Sequence, residues 1–286
     1  MRGKLIITAD DYGMCDSVNQ AIEECMASGS VRATCVMINM PAHTHTASLR
    51  KRFPNCSIGI HWTLSEGRPV LRSTQVPSLV RANGTFYSAS ELRRRWLRGR
   101  VSFAEIKMEL RAQYERFCDI AGTPDFWTSH ENFHVWPGLF SPCVGVGQDL
   151  SIPAMRSHRR FTVPCSQTEV EYHWRHPLYW LKGRAINEWS RRAETKGMLM
   201  PDGRVYAPGY DTDRESLQEV LHRLKWRLVK RAVEFIIHPA TRVEKIFGNL
   251  TESRLREYEF YKNPELGAFF NQQGIQLVSF EELRAH

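Results

Sequence analysis

Two adjacent acids, Asp10 and Asp11, end the apolar run Lys4-Leu5-Ile6-Ile7-Thr8-Ala9 and stand just before Tyr12-Gly13. Neighbouring carboxylates at a strand's end can face different groups around one centre, one holding a metal and the other accepting a proton. Acids before a helix also cap it and meet its dipole, so the pair alone leaves an ordinary strand-to-helix turn open. Histidine repeats the pattern. Ser57-Ile58-Gly59-Ile60 leads into His61, Asp125-Phe126-Trp127-Thr128-Ser129 leads into His130-Glu131-Asn132-Phe133-His134, and Glu234-Phe235-Ile236-Ile237 leads into His238-Pro239. In a parallel sheet or barrel of βα units all strand C-termini lie on one face, where active sites of such folds sit. Residues far apart in the chain would meet there.

The elements needed to position these residues are legible. Asp16 is placed to cap a helix whose apolar positions Val18, Ala21, Ile22, Cys25 and Met26 follow the helical period, with Gly29 as its stop. A second apolar run, Ala33 to Met40, ends at Pro41, and a short helix before Pro54 precedes the run into His61. Ser102 and Glu105 form a capping box for a helix reaching about Ala121. Ser151 to Met155 is a weaker strand candidate. Leu217, Val220, Leu221, Leu224 and Leu228 mark a helix before the Glu234 strand, and Thr251 opens another before Ile275 to Val278. About seven strands alternating with helices predict an α/β fold, a distorted TIM-like (β/α) barrel.

Composition agrees with one such domain. The 286 residues are 42% hydrophobic, enough for a large core, and no linker, repeat or low-complexity tract divides them. The start, Met1-Arg2-Gly3-Lys4, is followed by too few apolar residues for a signal peptide, and no run is long enough to span a bilayer. Seven cysteines, an odd number without CxxC spacing, argue against a disulfide framework or zinc ribbon and for reduced thiols in the cytoplasm. The net charge of +8 gathers in Arg93-Arg94-Arg95 with Arg98 and Arg100, in Arg156, Arg159 and Arg160, in Arg191-Arg192 with Lys196, and in Lys225, Arg227, Lys230 and Arg231. An anionic substrate is one reading and solvated helix faces the other. No recognisable nucleic-acid module accompanies the charge, which points away from nucleic acid as a partner.

The motifs carry a resemblance. Thr8-Ala9-Asp10-Asp11-Tyr12-Gly13, followed by Val31-Arg32-Ala33-Thr34 and Met37-Ile38-Asn39-Met40-Pro41-Ala42, resembles the opening of the YdjC-like carbohydrate deacetylases, a family that includes diacetylchitobiose deacetylases. Gly59-Ile60-His61 with Glu66-Gly67-Arg68-Pro69-Val70, Ser129-His130 with His134 and Pro137, and Phe235-Ile236-Ile237-His238-Pro239-Ala240 continue it in family order over nearly the whole chain. The resemblance implies a hydrolase on a distorted TIM-like barrel that removes acetyl groups from N-acetylated amino sugars with one divalent metal ion. Zn²⁺ and Mg²⁺ come first, and Mn²⁺, Co²⁺ and Ni²⁺ also suit the ligand types. It implies Asp11, His61 and His130 as metal ligands, Asp10 as general base and His238 as the acid that protonates the departing amine. Homodimerisation is compatible with the family. Members often carry acid-Ser-His-His-His-Val-His around the third ligand, where this chain has Thr128-Ser129-His130-Glu131-Asn132-Phe133-His134. That departure leaves His130 in place and alters the residues that orient it.

Trp62, His134 and Trp136 adjoin the motifs and are expected to bind substrate, the tryptophans by stacking on a pyranose face. Core packing is the alternative for all three. His43 and His45 follow Pro41 at a helix start, and His158, His173, His176 and His222 lie in basic or aromatic surroundings, so surface or packing roles are expected. Residues 166–210, which the motifs do not reach, contain Tyr172, Trp174, Tyr179, Trp180, Trp189 and Tyr206 and are expected to shape the substrate site or a dimer contact. Beside an amino-sugar deacetylase, two readings stay open: a deacetylase of a lipid-, nucleotide- or antibiotic-linked sugar, and a binding protein that has lost catalysis.

Overall fold

Leu5, Ile6 and Ile7 dictate the centre of the fold, because a strand that sends large apolar side chains to both faces must be covered on both sides. They lie in β1 (Gly3–Tyr12), and all three are buried. The computed structural model describes residues 3–159, 177–207, 212–224, 226, 229–248 and 250–285. Its other strands are β2 (Ala33–Val36), β3 (Ser57–Trp62), β4 (Trp127–Ser129), β5 (Gly203–Val205), β6 (Val233–Ile237) and β7 (Ile275–Leu277). The order is β4-β3-β2-β1-β6-β5, every pairing is parallel, and β7 also pairs with β1. Leu5 pairs with Val233 on β6 and Leu277 on β7, so those strands take opposite edges of β1.

The sheet curls, and an irregular segment joins its two outer strands. The Trp127 N–H donates to the Ala154 carbonyl and the Arg156 N–H to the Trp127 carbonyl; on the far side the Met155 N–H donates to Leu199 and the Arg204 N–H of β5 to Arg159. The result is the expected distorted (β/α) barrel of parallel strands, with all strand C-termini on one rim. Around it run α1 (Asp16–Ala27), α2 (Leu49–Arg52), α3 (Ala89–Leu97), α4 (Phe103–Ala121), α5 (Phe140–Asp149), α6 (Pro177–Thr195), α7 (Arg214–Arg223), α8 (Glu252–Tyr261) and α9 (Leu266–Gln272). No helix among the described residues is long and apolar enough to cross a membrane.

Several local expectations are corrected. Cys15, not Asp16, occupies the cap position of α1, and Asp16 opens its first turn. Ser102 accepts from the Glu105 N–H at 3.5 Å, but the Glu105 carboxylate accepts from the Ser78 N–H, so only half of the capping box forms. The run from Ala33 stops as a strand at Val36, and the Ser151 to Met155 candidate reduces to single bridges at Ala154 and Met155. The seventh strand is instead β5, only three residues long.

Gly59 shows how tightly β3 meets the core. A Cβ there would lie 2.6 Å from the Phe126 ring, which is stacked on Phe280 at 3.8 Å between centroids. Gly59→Ala is expected to lower stability by about 1–3 kcal/mol through overpacking, read as a lower midpoint in thermal unfolding.

Candidate metal centre

Successive residues of a regular strand point to opposite faces, so Asp10 and Asp11 should not share a site. They do because the chain bulges between them. The β1–β2 register steps from Ala9 opposite Thr34 to Tyr12 opposite Val36, one extra residue on β1, and Asp11 takes a left-handed φ of 73°. A non-glycine residue there is strained, and strain of this kind gathers at functional sites. Glu131 (φ 55°) and Asn132 (φ 51°) repeat it directly after His130. Both acids thereby reach a cleft of about 370 Å³ on the C-terminal rim, together with His61 from the end of β3, His130 just past β4 and His238 just past β6.

Asp11, His61 and His130 converge. Asp11 Oδ1 lies 3.4 Å from His61 Nε2 and 3.1 Å from His130 Nδ1. Donors bound at about 2.1 Å around a tetrahedral ion sit about 3.4 Å apart, so this set fits one divalent cation. The second Asp11 oxygen, Oδ2, accepts a 2.5 Å bond from Arg254 on α8, which leaves Oδ1 facing the two imidazoles. Arg254 is itself buried, with its guanidinium 4.6 Å from the Phe247 ring centroid. Burial would raise the Asp11 carboxyl and lower the His130 imidazole. Arg254 and the two imidazoles instead hold Asp11 well below the usual carboxylate range, and Asp11 lifts His130 above its ordinary value. The pocket thus favours a cation.

A second cluster, Asp10, Cys35 and His61, also brings donor atoms together. It is a poorer cation site. Burial pushes the Cys35 thiol far up, so it stays protonated and faces Asp10 Oδ1 at 3.2 Å as a donor. Both Asp10 oxygens are taken by Arg156, whose Nη1 and Nη2 each donate at 2.6 Å, and Arg156 Nε donates at 3.0 Å to Glu234 on β6. Against the desolvation that burial imposes, Arg156 holds Asp10 ionised well below the usual carboxylate range. His238 Nε2 lies 3.9 Å from Asp10 Oδ2, and burial, opposed by the two aspartates, pushes its imidazole down to about 4. Asp10 is thus oriented beside the cation set rather than within it.

The substrate residues read from the sequence fare differently. Trp62 is fully buried, tilted against Trp127 at 4.8 Å, because it follows His61 on the strand and so faces the core. It offers no surface to a sugar. His134 is also fully buried, its Nδ1 2.5 Å from Ser129 Oγ, and burial pushes it down to about 3. It supports the chain beside His130 and does not reach the cleft. Trp136 lines a neighbouring cavity. His43 and His45 lie in a 3-10 turn, His43–Ser48, where His45 is exposed and His43 bonds to Met40 and Arg116, the surface and packing roles expected of them. His158 is buried against His134 at 4.5 Å, and His173 and His176 lie outside the described residues. Arg191 and Arg192 pair with Glu188 on the surface of α6, whereas Arg156 leaves the basic cluster it was assigned to and enters the site. Arg156, Glu234 and Arg254 escaped the sequence reading because only the fold brings them to Asp10 and Asp11. A charged Glu inside the apolar β6 run was the one signal that a buried cation must stand opposite.

The chain is 37% identical over 281 residues to a carbohydrate deacetylase of Geobacillus stearothermophilus, covering 97% of this chain and 96% of that one. It is 33% identical over 155 residues to a chitooligosaccharide deacetylase of Proteus mirabilis, covering 52% and 57%. A crystal structure of a candidate cellobiose-phosphate cleavage protein from Enterococcus faecalis V583 superposes with a TM-score of 0.78 at 25% identity, over 98% of both chains. The profile of the YdjC-like proteins matches residues 4–272, so this chain belongs to the YdjC-like protein family.

Proposed function

We propose that this protein hydrolyses the N-acetyl group of an N-acetylated amino sugar, a chitooligosaccharide or related N-acetylglucosamine glycoside, and releases acetate. The observation that carries the reading is the arrangement of a cation set, Asp11, His61 and His130, beside an ionised carboxylate, Asp10, that belongs to a separate ion pair. The near full-length likeness to a carbohydrate deacetylase supports the substrate class. A divalent ion held by the three ligands would supply Lewis acidity, polarising the amide carbonyl and making water a usable nucleophile near neutral pH.

The remaining work falls to the chain's own groups. Asp10 Oδ2 takes the proton of the attacking water, and Arg156 keeps that oxygen aimed and ionised. Arg156 holds Asp10 ionised, and His238 Nε2, 3.9 Å from Asp10 Oδ2, is the group placed to carry that proton onward. His238 therefore starts neutral, becomes charged within the cycle, and delivers its proton to the departing amine. His238→Ala is expected to lower kcat about a hundredfold or more while leaving the bound metal in place, as checked by steady-state kinetics beside elemental analysis.

The function is tested by acetate release from diacetylchitobiose and N-acetylglucosamine glycosides, with and without chelator. Release that chelation stops is expected; release that survives complete metal removal contradicts the mechanism, and no release from any N-acetyl sugar by the metal-loaded protein contradicts the function.

A further inference from the structure

A second cavity, of about 560 Å³, adjoins the metal cleft and shares Glu131, Asn132 and Arg204 with it. Its wall begins one residue past His130, so whatever occupies it sits next to a group at the metal set. One side is α6, which falls in the stretch that the sequence marked as shaping the substrate site.

Among the described lining residues, three cationic side chains come from three elements, Arg93 of α3, Lys182 of α6 and Arg204 of β5, and Glu131 is the one carboxylate. Arg204 Nη1 donates at 3.1 Å to Asn132 Oδ1, which ties the shared wall in place. Trp136 and Trp189 give the cavity aromatic walls, and Leu181 at its mouth is 57% exposed. His158 lines it too. That residue is 4% exposed, and neither ring nitrogen has a hydrogen-bond partner among the described residues. A buried imidazole without such partners costs free energy, and this ring borders the cavity. Aromatic and apolar surface with a few placed polar groups is the general composition of a ligand site.

The amides of Asn132 and Asn187 suit neutral sugar hydroxyls, and the three cations exceed what those alone would call for. Cations converging on one volume suit phosphate oxygens, and the tryptophans and Leu181 suit a flat or aliphatic group beyond them. Resting on the deacetylase reading above, we infer that this cavity is the subsite for the rest of the substrate, an N-acetylated sugar joined through a diphosphate to a flat or aliphatic group. A nucleoside and a lipid chain both satisfy that chemistry.

The test compares kcat/KM of the metal-loaded protein toward a uridine diphosphate N-acetylglucosamine, an alkyl diphosphate N-acetylglucosamine and diacetylchitobiose. One of the two diphosphates is expected to exceed the neutral disaccharide by about tenfold or more, and which one does so tells whether the group is flat or aliphatic. Arg93→Glu and Lys182→Glu, both at exposed positions of their helices, are each expected to cut that advantage about tenfold, chiefly through KM. An advantage for diacetylchitobiose, or a diphosphate advantage untouched by both charge reversals, overturns the inference. Calorimetric titration with uridine diphosphate and with a sugar-free alkyl diphosphate separates the two readings without turnover. Binding of either that Arg93→Glu weakens, with no amide cleaved, keeps the subsite and removes the deacetylase reading. Cleavage of diacetylchitobiose with neither diphosphate bound does the reverse.

Discussion

Asp11→Ala is expected to abolish metal binding and, with it, turnover, a loss of about a thousandfold or more. Asp11 Oδ1 is the atom that both imidazoles face, at 3.4 Å and 3.1 Å, so its removal leaves two neutral nitrogens with no charge to hold a divalent ion. The same change strands Arg254, which is 3% exposed and donates to Asp11 Oδ2. Breaking a buried ion pair on one side costs about 3–5 kcal/mol, so the variant should also unfold at lower denaturant. Asp11→Asn keeps the volume and an acceptor for Arg254 while removing the charge. Its metal affinity should fall steeply even where the fold survives, and calorimetric metal titration of that variant separates ligation from folding.

Asp10→Asn is expected to behave in the opposite way. The amide keeps one acceptor for Arg156 and loses the other, so the pair gives up one of its two hydrogen bonds as well as its charge, while Glu234 still accepts from Arg156 Nε and holds the guanidinium in place. The residue stands outside the cation set, so metal content should stay at the wild-type level. Turnover should fall about a hundredfold to ten-thousandfold, the range for removing a general base. Full activity in Asp10→Asn would show that the proton of water goes elsewhere, with His238 the nearest remaining acceptor.

The distribution of what the sequence could and could not foretell follows from which information is local. Apolar runs that end in Asp10-Asp11, His61, His130 and His238 are read within a few residues each, and parallel topology alone brings their ends to one rim. The barrel was legible for the same reason. Three residues of β5 were too few to show a period, and Gly203 at its start hid the strand further. Adjacency in sequence misled where strand geometry was regular: Trp62 follows His61 and therefore turns to the core. It held where the strand was irregular, since the bulge lets Asp10 and Asp11 share one cleft. No pattern of residue types announces that bulge, because an aspartate at φ 73° replaces the glycine that would have signalled it. His134 belongs to the same lesson. Two left-handed residues, Glu131 and Asn132, turn the chain so that His130 faces the cleft and His134 the interior beside Trp127 and His158. Arginines 156 and 254 were beyond local reading, since their partners lie 146 and 243 residues away.

The most direct measurement is a titration of metal-free protein with a divalent ion, Zn²⁺ first, following acetate release from diacetylchitobiose. One Asp11-His61-His130 set per chain predicts that the rate rises from zero and breaks at one ion per chain, with no rise in Asp11→Ala. Full activity before any ion is added, or a rise in Asp11→Ala equal to that of the natural chain, would contradict it.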